Sequence, residues 1–539
     1  MNLLQNNKQR SDSAKNLVTQ GSILVAATFL VRLMNVFYRI PVTNLWGDHG
    51  LGTYGDAYQV YSFFLVFSSM AIPTTLSKLL GERFATGRWK DAKKVVKCAL
   101  ILVGGIGFVS MMIMLLFSEQ IAMLYHNPEV ARPIRFLGPT LFIVSLRSIL
   151  RGYFQGLNNM KPTAISELID GFLHAVFAVV LAYVLFNAGG MAWSVTGGIL
   201  GTLIGSIGGA VFLVFCYYIY RGMSIAKEKE TPQETEPESD KQIYGEILKL
   251  MIPIVLASSA FSIKGILDAS MFGGLMMAEG YNPELAVAMR GIYTGKFVVL
   301  INLPIAIGDS LGSAAVPAVA ASFAQNKMDE LEQEFYTLIK TILIVAIPCA
   351  VGLMTLGKPV LKMMFAHSPL GGELFWVGSF SVVFYCLNYA ASGVLQGMNK
   401  QQYPMIHTII GVVFSCILNF VTVRVLHLGI YSLAINSALF SFFIMVLNLS
   451  AAMKFCNVKI DFWKLSKGPI LCSALMAAVC VIVYLLLFAI TGSNAASVIG
   501  AVLAGIVSYF TFMVNFKGMT TRDMHNLPGG KYLEKLRLK

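Results

Sequence analysis

Apolar segments of about twenty residues recur along the whole chain and alternate with short polar segments. A helix of about that length crosses roughly 30 Å of hydrocarbon, so each apolar segment predicts one membrane span. We place fourteen spans, at residues 17–42, 54–80, 95–117, 134–156, 163–187, 194–220, 248–275, 291–321, 337–356, 372–396, 404–426, 429–452, 468–490 and 495–515. The pattern therefore predicts an all-α polytopic membrane protein.

A sequence repeat links the two halves of the chain. The motif G-x-x-Q-G-x-N ends span 4 at residues 152–158 and ends span 10 at residues 393–399. A weaker match sets residues 72–85 against residues 311–324, nearly in the same register. Two matches in register indicate an internal repeat. Each copy holds an even number of spans, so we predict two parallel six-helix lobes with the last two spans appended.

A charged stretch rich in proline and glutamate separates the two copies. Such a composition cannot bury an apolar core, so we predict a cytoplasmic linker at residues 221–247. The linker would join an N-lobe, residues 1–220, to a C-lobe, residues 248–453. Residues 454–539 then hold spans 13 and 14 and a basic tail.

Composition supports the membrane assignment. Hydrophobic residues make up 56% of the 539 residues and charged residues only 13%, well below the share in soluble proteins. The net charge of +13 does not indicate a nucleic-acid partner, because lysine and arginine concentrate in short loops on one side. The opposite loops 43–53, 188–193 and 491–494 contain neither residue, which predicts that both termini face the cytoplasm.

Span 1 carries two arginines where a membrane span normally carries none. Arg32 and Arg39 are seven residues apart, so they share one helix face about 10 Å apart along the axis. A charge at this depth costs on the order of 3 kcal/mol or more and nearly always faces a protein interior or a water-filled cavity. We predict an anion-binding wall. The alternative is that Arg39 reaches the outer headgroups while Arg32 pairs with an acid.

Spans 7 and 8 carry further charges in the second copy. Lys264 and Asp268 lie four residues apart on one face, so they either neutralise each other or place Lys264 in a central cavity whose field Asp268 tunes. Span 8 adds Lys296 near its outer end and Asp309 near its middle. We include both lysines among the predicted cargo contacts.

Spans 4 and 5 carry complementary charges. Arg147 and Arg151 share one face of span 4, and span 5 presents Glu167, Asp170 and His174 at spacings of three and four. One interpretation is an interhelical charge network, and another is contact with an anionic cargo. An acid beside a histidine inside a membrane is also typical of a proton or cation relay.

These charges favour an anionic cargo, because a guanidinium fork suits phosphate or carboxylate. The sequence has no Walker motif, no H-E-x-x-H and no cluster with metal-ligand spacing. We therefore expect a transporter rather than an enzyme, with no cofactor. A monovalent cation, the membrane potential or the cargo gradient would drive it, and prolines within the spans would bend helices for alternating access.

Several motifs carry a family resemblance. They are residues 37–41 (F-Y-R-I-P) followed by 51–54 (L-G-T-Y), residues 72–74 (I-P-T), the polar face of span 5, and the Gln-Gly pairs at 155–156 and 396–397. In these the chain resembles the multidrug/oligosaccharidyl-lipid/polysaccharide (MOP) flippase superfamily. The resemblance covers both lobes and is strongest to its stage V sporulation protein B-like and MurJ-type branches.

The resemblance implies a flippase in the bacterial cell membrane. It would move an undecaprenyl-diphosphate-linked saccharide, first of all the peptidoglycan precursor lipid II, from the cytoplasmic to the outer leaflet. By the family motif, Arg32 and Arg39 would bind the diphosphate, and spans 13 and 14 would form a groove for the lipid tail. The expected partners are the lipid-linked cargo, membrane lipid and the wall-synthesis machinery, and the expected state is a monomer.

The chain departs from the MurJ-type pattern at four positions. Ile40 stands where those proteins have an acid, and Lys296 lies about a turn before the position of their span-8 arginine. His174 and Ser415 replace basic residues that many relatives carry. The cargo therefore stays open between lipid II and another lipid-linked unit of a capsule, teichoic acid or spore wall. A cation-coupled multidrug antiporter and a non-transporting scaffold are the further alternatives.

Overall fold

The computed structural model describes residues 2–230, 238–366, 368–516 and 519. Within these residues the chain forms helices joined by short turns, and no β-strand. The α-helices of the described residues are α1 (Asn2–Leu65), α2 (Ile72–Ala85), α3 (Trp89–Leu116), α4 (Ser118–Leu124), α5 (Ala131–Gly156), α6 (Lys161–Glu230), α7 (Asp240–Ala278), α8 (Pro283–Ile292), α9 (Val298–Ala324), α10 (Met328–Met364), α11 (Leu374–Gly378), α12 (Phe380–Gly397), α13 (Gln402–Phe420), α14 (Tyr431–Cys456), α15 (Phe462–Thr491) and α16 (Asn494–Asn515).

The helices confirm an all-α, multi-pass membrane architecture. Among the described residues, twelve helical segments are long and apolar enough to cross a membrane. Two of them, Leu30–Ala85 and Lys161–Tyr220, have 56 and 60 residues, about twice the length that one crossing needs. Each is interrupted where a glycine has positive φ, at Gly47 (61°) and at Gly190 (71°). Fourteen spans would require each of these segments to cross twice, so that count stays a prediction.

The chain divides into two compact units, Met1–Ser270 and Met271–Lys539, and the boundary falls within α7. In the first unit α1 packs against α6, and α5 packs against α2, α3 and α6. In the second unit α12 packs against α9 and α14, while α15 packs against α10 and α16. The division into lobes at the charged linker stays a prediction.

The repeated motifs occupy equivalent positions in the two units. After α5, Asn158 has a φ of 54°, and after α12, Asn399 has a φ of 59°. Asparagine tolerates this left-handed conformation better than most residues, and it ends both helices alike. A Cβ added at Gly152 would come within 2.7 Å of Leu76, and one added at Gly393 within 2.3 Å of Gly312. In both motifs a glycine therefore allows two helices to pack closely, α2 with α5 and α9 with α12.

Part of the predicted linker is helical and packed. The carboxylates of Glu238 and Glu246 form ion pairs with Arg83, whose side chain is 2% exposed. Ile243 and Ile247 are buried against the core of the first unit. The sequence analysis did not identify this amphipathic start of α7, because its many charged residues suggested a solvated segment whereas its acids pair with a basic cluster. The middle of the linker, residues 231–237, and the basic tail, residues 517–539 except 519, lie outside the described residues.

Candidate functional site

Polar side chains of α1, α5 and α6 meet inside the first unit and form what we call the polar seam. Its members are Thr28, Tyr38, Arg39, Tyr54, Tyr58, Arg147, Arg151, Glu167, Asp170, His174 and Thr202. The apolar surfaces of the same helices face outward, so helix packing alone brings these groups together. Five of the residues predicted from sequence as charge or cargo groups on spans 4 and 5, and Arg39 of span 1, belong to this seam.

The interhelical charge network between spans 4 and 5 is present. Arg147 Nη1 donates to Asp170 Oδ2 at 2.5 Å, and Arg151 Nη2 donates to Glu167 Oε1 at 2.5 Å. The hydroxyl of Thr28 on α1 also donates to Glu167, at 3.1 Å. The two acids therefore compensate the like charges that α5 carries on one face, as the network interpretation predicted.

Two parts of α6 approach each other closely beside this charge network, and glycines at the approach leave space for the ion pair. A Cβ added at Gly209 would lie 2.8 Å from Arg147 Nη1 and 3.0 Å from the carbonyl oxygen of Ser166. A Cβ added at Gly205 would lie 2.6 Å from Asp170 Oδ1. Glycine is required at these positions because any side chain would displace the ion pair.

The arginines keep hydrogen-bonding capacity beyond their ion pairs. Within the described residues, the buried Nε atoms of Arg147 and Arg151 have no acceptor. A guanidinium carries five N–H donors in a fixed fork, so an anion with several oxygens can bind an arginine that already contacts a carboxylate. Both interpretations of spans 4 and 5, charge network and cargo contact, are thus compatible with this geometry.

The other half of the seam combines Arg39 with hydroxyl and imidazole groups. The Arg39 guanidinium lies 4.8 Å from the ring centroid of Tyr54, a cation–π distance. The hydroxyls of Tyr54 and Tyr38 are 3.0 Å apart, and the Tyr38 ring lies 4.8 Å from that of His174. These contacts hold Arg39 within the unit, which favours an interior role over contact with the outer headgroups.

Hydrogen bonds continue from His174 to α1. His174 Nε2 lies 3.4 Å from the hydroxyl of Thr202, which in turn lies 2.7 Å from the hydroxyl of Tyr58. Asp170 is one helical turn from His174 on α6. The seam thus contains an acid one helical turn from an imidazole whose contacts continue to hydroxyl groups, a composition suited to moving a proton or holding a cation.

Arg32 and Lys264 lie outside the seam contacts described above. Arg32 is half-buried on α1. Lys264 is 8% exposed and forms an ion pair with Asp268 one turn further along α7. The neutralisation that the sequence offered as one interpretation of this pair is therefore present. The adjacent Gly265 approaches Gln59 of α1, so Lys264 belongs to the first compact unit.

Lys296 in the second unit has surroundings that differ from the prediction. It lies in a π-helical turn, Tyr293–Phe297, and is fully buried. Its ammonium donates to the carbonyl of Ser368 at 2.5 Å and lies 5.8 Å from the Phe365 ring. This geometry favours anchoring of the loop after α10 over the predicted contact with cargo. The predicted Asp309 is half-buried on α9.

Sequence reasoning missed the hydroxyl groups of the seam as functional candidates. Tyr54 and Tyr58 are one helical turn apart on the same face of α1, and Tyr61 continues that face. The spacing was a usable signal, because three tyrosines on one face of a membrane helix need polar neighbours. Thr28 and Thr202 left no such signal, since isolated threonines are common in apolar helices.

The geometry of these helices is that of known transporters. The lipid II flippase MurJ in its inward closed conformation has a TM-score of 0.64 at 17% identity, covering 91% of this chain and 97% of that chain. An inward-facing multidrug resistance MATE family transporter of the MOP superfamily also has a TM-score of 0.64, at 15% identity, covering 80% of this chain and 98% of that chain. The fold is therefore that of the MOP superfamily of membrane transporters.

Sequence comparison gives the family within that class. The sequence model described as polysaccharide biosynthesis protein matches residues 17–323, more than half of the chain, and that described as MatE matches residues 253–421. The chain belongs to the polysaccharide biosynthesis protein family. Lipid II flippase MurJ of Bacillus subtilis (strain 168) is 26% identical over 74% of this chain and 75% of that protein. Stage V sporulation protein B of the same strain is 21% identical over 96% of this chain and 98% of that protein.

Proposed function

We propose that this protein is a flippase for a saccharide linked to a polyprenyl diphosphate. It moves the lipid-linked unit, first of all lipid II, from the cytoplasmic to the outer leaflet of the bacterial cell membrane by alternating access. Both termini lie in the cytoplasm, and the protein transports without chemical change of the cargo. The observation that carries the proposal is the combination of interior arginines with similarity to a lipid II flippase over three quarters of that protein.

The charge of the first unit's interior supports an anionic cargo. Arg32 and Arg39 lie on the helix that opens the family match, and Arg147 and Arg151 line the neighbouring helix with donors to spare. A diphosphate presents several oxygens with strong acceptor capacity, which the planar guanidinium binds better than an ammonium does. A cationic drug would instead need an interior dominated by acids, which disfavours multidrug export.

A second candidate cargo is a lipid-linked polysaccharide unit other than lipid II. One observation favours it: the similarity to stage V sporulation protein B extends over 96% of this chain, whereas that to lipid II flippase MurJ extends over 74%. The missing acid after Arg39 and the exchanges at His174 and Ser415 also separate this chain from the MurJ-type pattern. A capsule, teichoic acid or spore-wall precursor would have the same diphosphate.

We propose that the charge network serves coupling as well as structure. Glu167, Asp170 and His174 offer sites where a proton or a monovalent cation exchanges with the arginines during transport. Asp268 in its pair with Lys264 and Asp309 on α9 are further candidates for this role. The membrane potential then adds to the driving force whenever net charge moves across the bilayer, at about 2.3 kcal/mol per charge per 100 mV.

Complementation tests the cargo directly. The gene is expressed in a bacterial strain depleted of its lipid II flippase, and the precursor in each leaflet is measured. We expect restored growth and outer-leaflet lipid II with the wild-type protein and with Arg135→Ala, which removes an arginine paired with Glu119 away from the seam. Arg32→Ala, at the same membrane level, should restore neither. Failure of the wild-type protein with lipid II, but success with a capsule, teichoic or spore-wall precursor, would select the second candidate.

A further inference from the structure

A small cavity lies among the helix ends of the first unit, apart from the polar seam. Its volume is about 280 Å³. Its lining consists of Phe84, Trp89, Ala92, Lys93, Val96, Lys97, Leu100, Tyr153 and Tyr217. It therefore combines two ammonium groups with four aromatic rings, a composition that the proposed transport function does not use.

The cavity is surrounded by the ends of apolar helices, which we expect to lie at a membrane interface. It is bounded where α2 ends, where α3 begins, and near the ends of α5 and the apolar part of α6. The rings of Phe84 and Trp89 are 4.7 Å apart, and Tyr153 contacts Tyr217 at 5.2 Å. Tryptophan and tyrosine are typical of the headgroup region of a membrane, where their rings are apolar and their N–H and O–H groups remain hydrated.

Basic residues at the start of α3 and just before it surround the cavity. Arg83, Arg88 and Lys94 form ion pairs with the acids that precede and begin α7. Lys93 and Lys97, one helical turn apart and both exposed, line the cavity. The basic cluster that the sequence assigned to topology thus contributes both to the docking of α7 and to the lining of this cavity.

The face of α3 beyond the two lysines is apolar and exposed. Leu100 is 46% exposed and Phe108 is 48% exposed, and both follow Lys93 and Lys97 along the same side of the helix. A molecule whose phosphate sits at the lysines would therefore have its hydrocarbon chains beside an apolar surface. The volume accommodates a phosphate with a glycerol, but it is too small for a saccharide with an attached peptide.

We propose that this cavity binds the headgroup of an anionic phospholipid such as phosphatidylglycerol, in the leaflet that the orientation assigns to the cytoplasm. The ammonium groups of Lys93 and Lys97 contact the lipid phosphate, and the aromatic rings enclose the glycerol. Basic pockets between membrane helices on this side are a recurrent way of binding anionic lipids. The bound lipid would link α2, α3, α5 and α6 at one end of the unit without taking part in cargo binding.

The test measures lipid binding without transport. Purified full-length protein is titrated with phosphatidylglycerol and with phosphatidylcholine, and retained lipid is counted by native mass spectrometry. The test variant is Lys93→Gln/Lys97→Gln. The matched control, Lys90→Gln/Lys249→Gln, removes the same charge from exposed lysines that do not line the cavity. Because each lysine contributes about fivefold, we expect the test variant to bind phosphatidylglycerol about 25-fold more weakly and the control to match the wild type.

A second readout reports on the cavity itself. Trp89 is buried in the cavity wall, so brominated phosphatidylglycerol should quench its fluorescence, measured as the difference from Trp89→Phe. This quenching should disappear in Lys93→Gln/Lys97→Gln and persist in the control. Equal affinity of both double variants for phosphatidylglycerol, or equal binding of phosphatidylcholine by the wild type, would overturn the proposal. Stronger displacement by a short-chain polyprenyl diphosphate, or by inorganic phosphate, would overturn it too, because the site would then belong to the cargo or to a free anion.

Discussion

Arg147, whose side chain is buried, forms an ion pair with Asp170, whose side chain is 23% exposed, among the apolar helices of the first unit. Replacing one partner leaves the other charge uncompensated, at a cost of about 3 kcal/mol or more. We therefore expect Arg147→Ala and Asp170→Asn each to lower the thermal unfolding midpoint of the purified protein. The double variant Arg147→Met/Asp170→Leu should recover most of the loss, because similar volume is kept and no charge remains.

The same double variant separates the two interpretations of these charges. If Arg147 only balances Asp170, the stabilised double variant transports as well as the wild type. Our account places Arg147 in contact with the cargo diphosphate and Asp170 in coupling, so transport should stay at least tenfold lower although stability returns. Wild-type transport by the double variant would assign Arg147 and Asp170 to structure alone.

For single residues, the sequence predicts which charged side chains face each other better than it predicts the groups that surround each of them. Spacing alone placed Arg147, Arg151, Glu167 and Asp170 on facing helices, and the structure pairs them. The environment of Lys296 could not be foreseen, because its acceptor, Ser368, is 72 positions away, beyond the end of α10. A hydrogen bond of that kind depends on tertiary folding and leaves no periodic signal.

At the scale of elements, two parts of α6 approach each other so closely that no side chain fits at Gly209. Gly209→Ala would force a carbon against the Arg147 guanidinium and the backbone of Ser166. Overpacking of this kind typically costs about 1–3 kcal/mol, so we expect a lower unfolding midpoint together with reduced transport. Gly105→Ala is the matched control, since a Cβ there meets nothing within 4 Å. Equal effects of both substitutions would show that the crossing is not tight.

The stabilisation that Glu279 gives to the turn after α7 should depend on pH. Glu279 accepts hydrogen bonds from His427 at 2.7 Å and from Arg424 at 3.3 Å, and these partners lower the pKa of its carboxyl group. A lowered pKa means that the stabilisation is complete at neutral pH and is lost as the pH falls through that lowered value.

Thermal unfolding as a function of pH checks this expectation. Glu279→Gln should lower the midpoint at pH 7, and the difference from the wild type should vanish as the pH falls through the lowered pKa of the Glu279 carboxyl group. Glu332→Gln, an exposed acid on α10, serves as the control and should differ little at either pH. A difference for Glu279→Gln that is the same at both pH values would contradict the assignment.

The start of α7 differs from the solvated linker that the composition of residues 221–247 predicted. A stretch dense in acids predicted a solvated linker, yet Glu238 and Glu246 meet Arg83 while Ile243 and Ile247 enter the core. The composition of a segment does not show which distant residues the segment contacts in the folded chain. The partners of these acids are about 160 residues away on α2, and only folding brings them together.

At the scale of the molecule, the repeat is the feature that the sequence predicts most directly. Two seven-residue motifs end α5 and α12 with the same left-handed asparagine and the same close crossing of a neighbouring helix. Helix type and membrane class followed from the length and number of the apolar segments, each about as long as one membrane crossing. The predicted number of crossings, fourteen, stays a prediction, because the segments around Gly47 and Gly190 continue as helix on both sides of their interruptions.

The chain belongs to the polysaccharide biosynthesis protein family and has the fold of the MOP superfamily of transporters, and its interior arginines favour the lipid-linked saccharide that we propose as cargo. The central claim is that this chain alone moves a polyprenyl-diphosphate-linked saccharide and needs Arg32 to do so. Purified protein in proteoliposomes with a fluorescent lipid II analogue tests it, with leaflet exchange followed by quenching from outside. We predict exchange by the wild type and by Arg135→Ala, and at least tenfold slower exchange by Arg32→Ala at equal reconstitution. Exchange by Arg32→Ala at the wild-type rate would contradict the account.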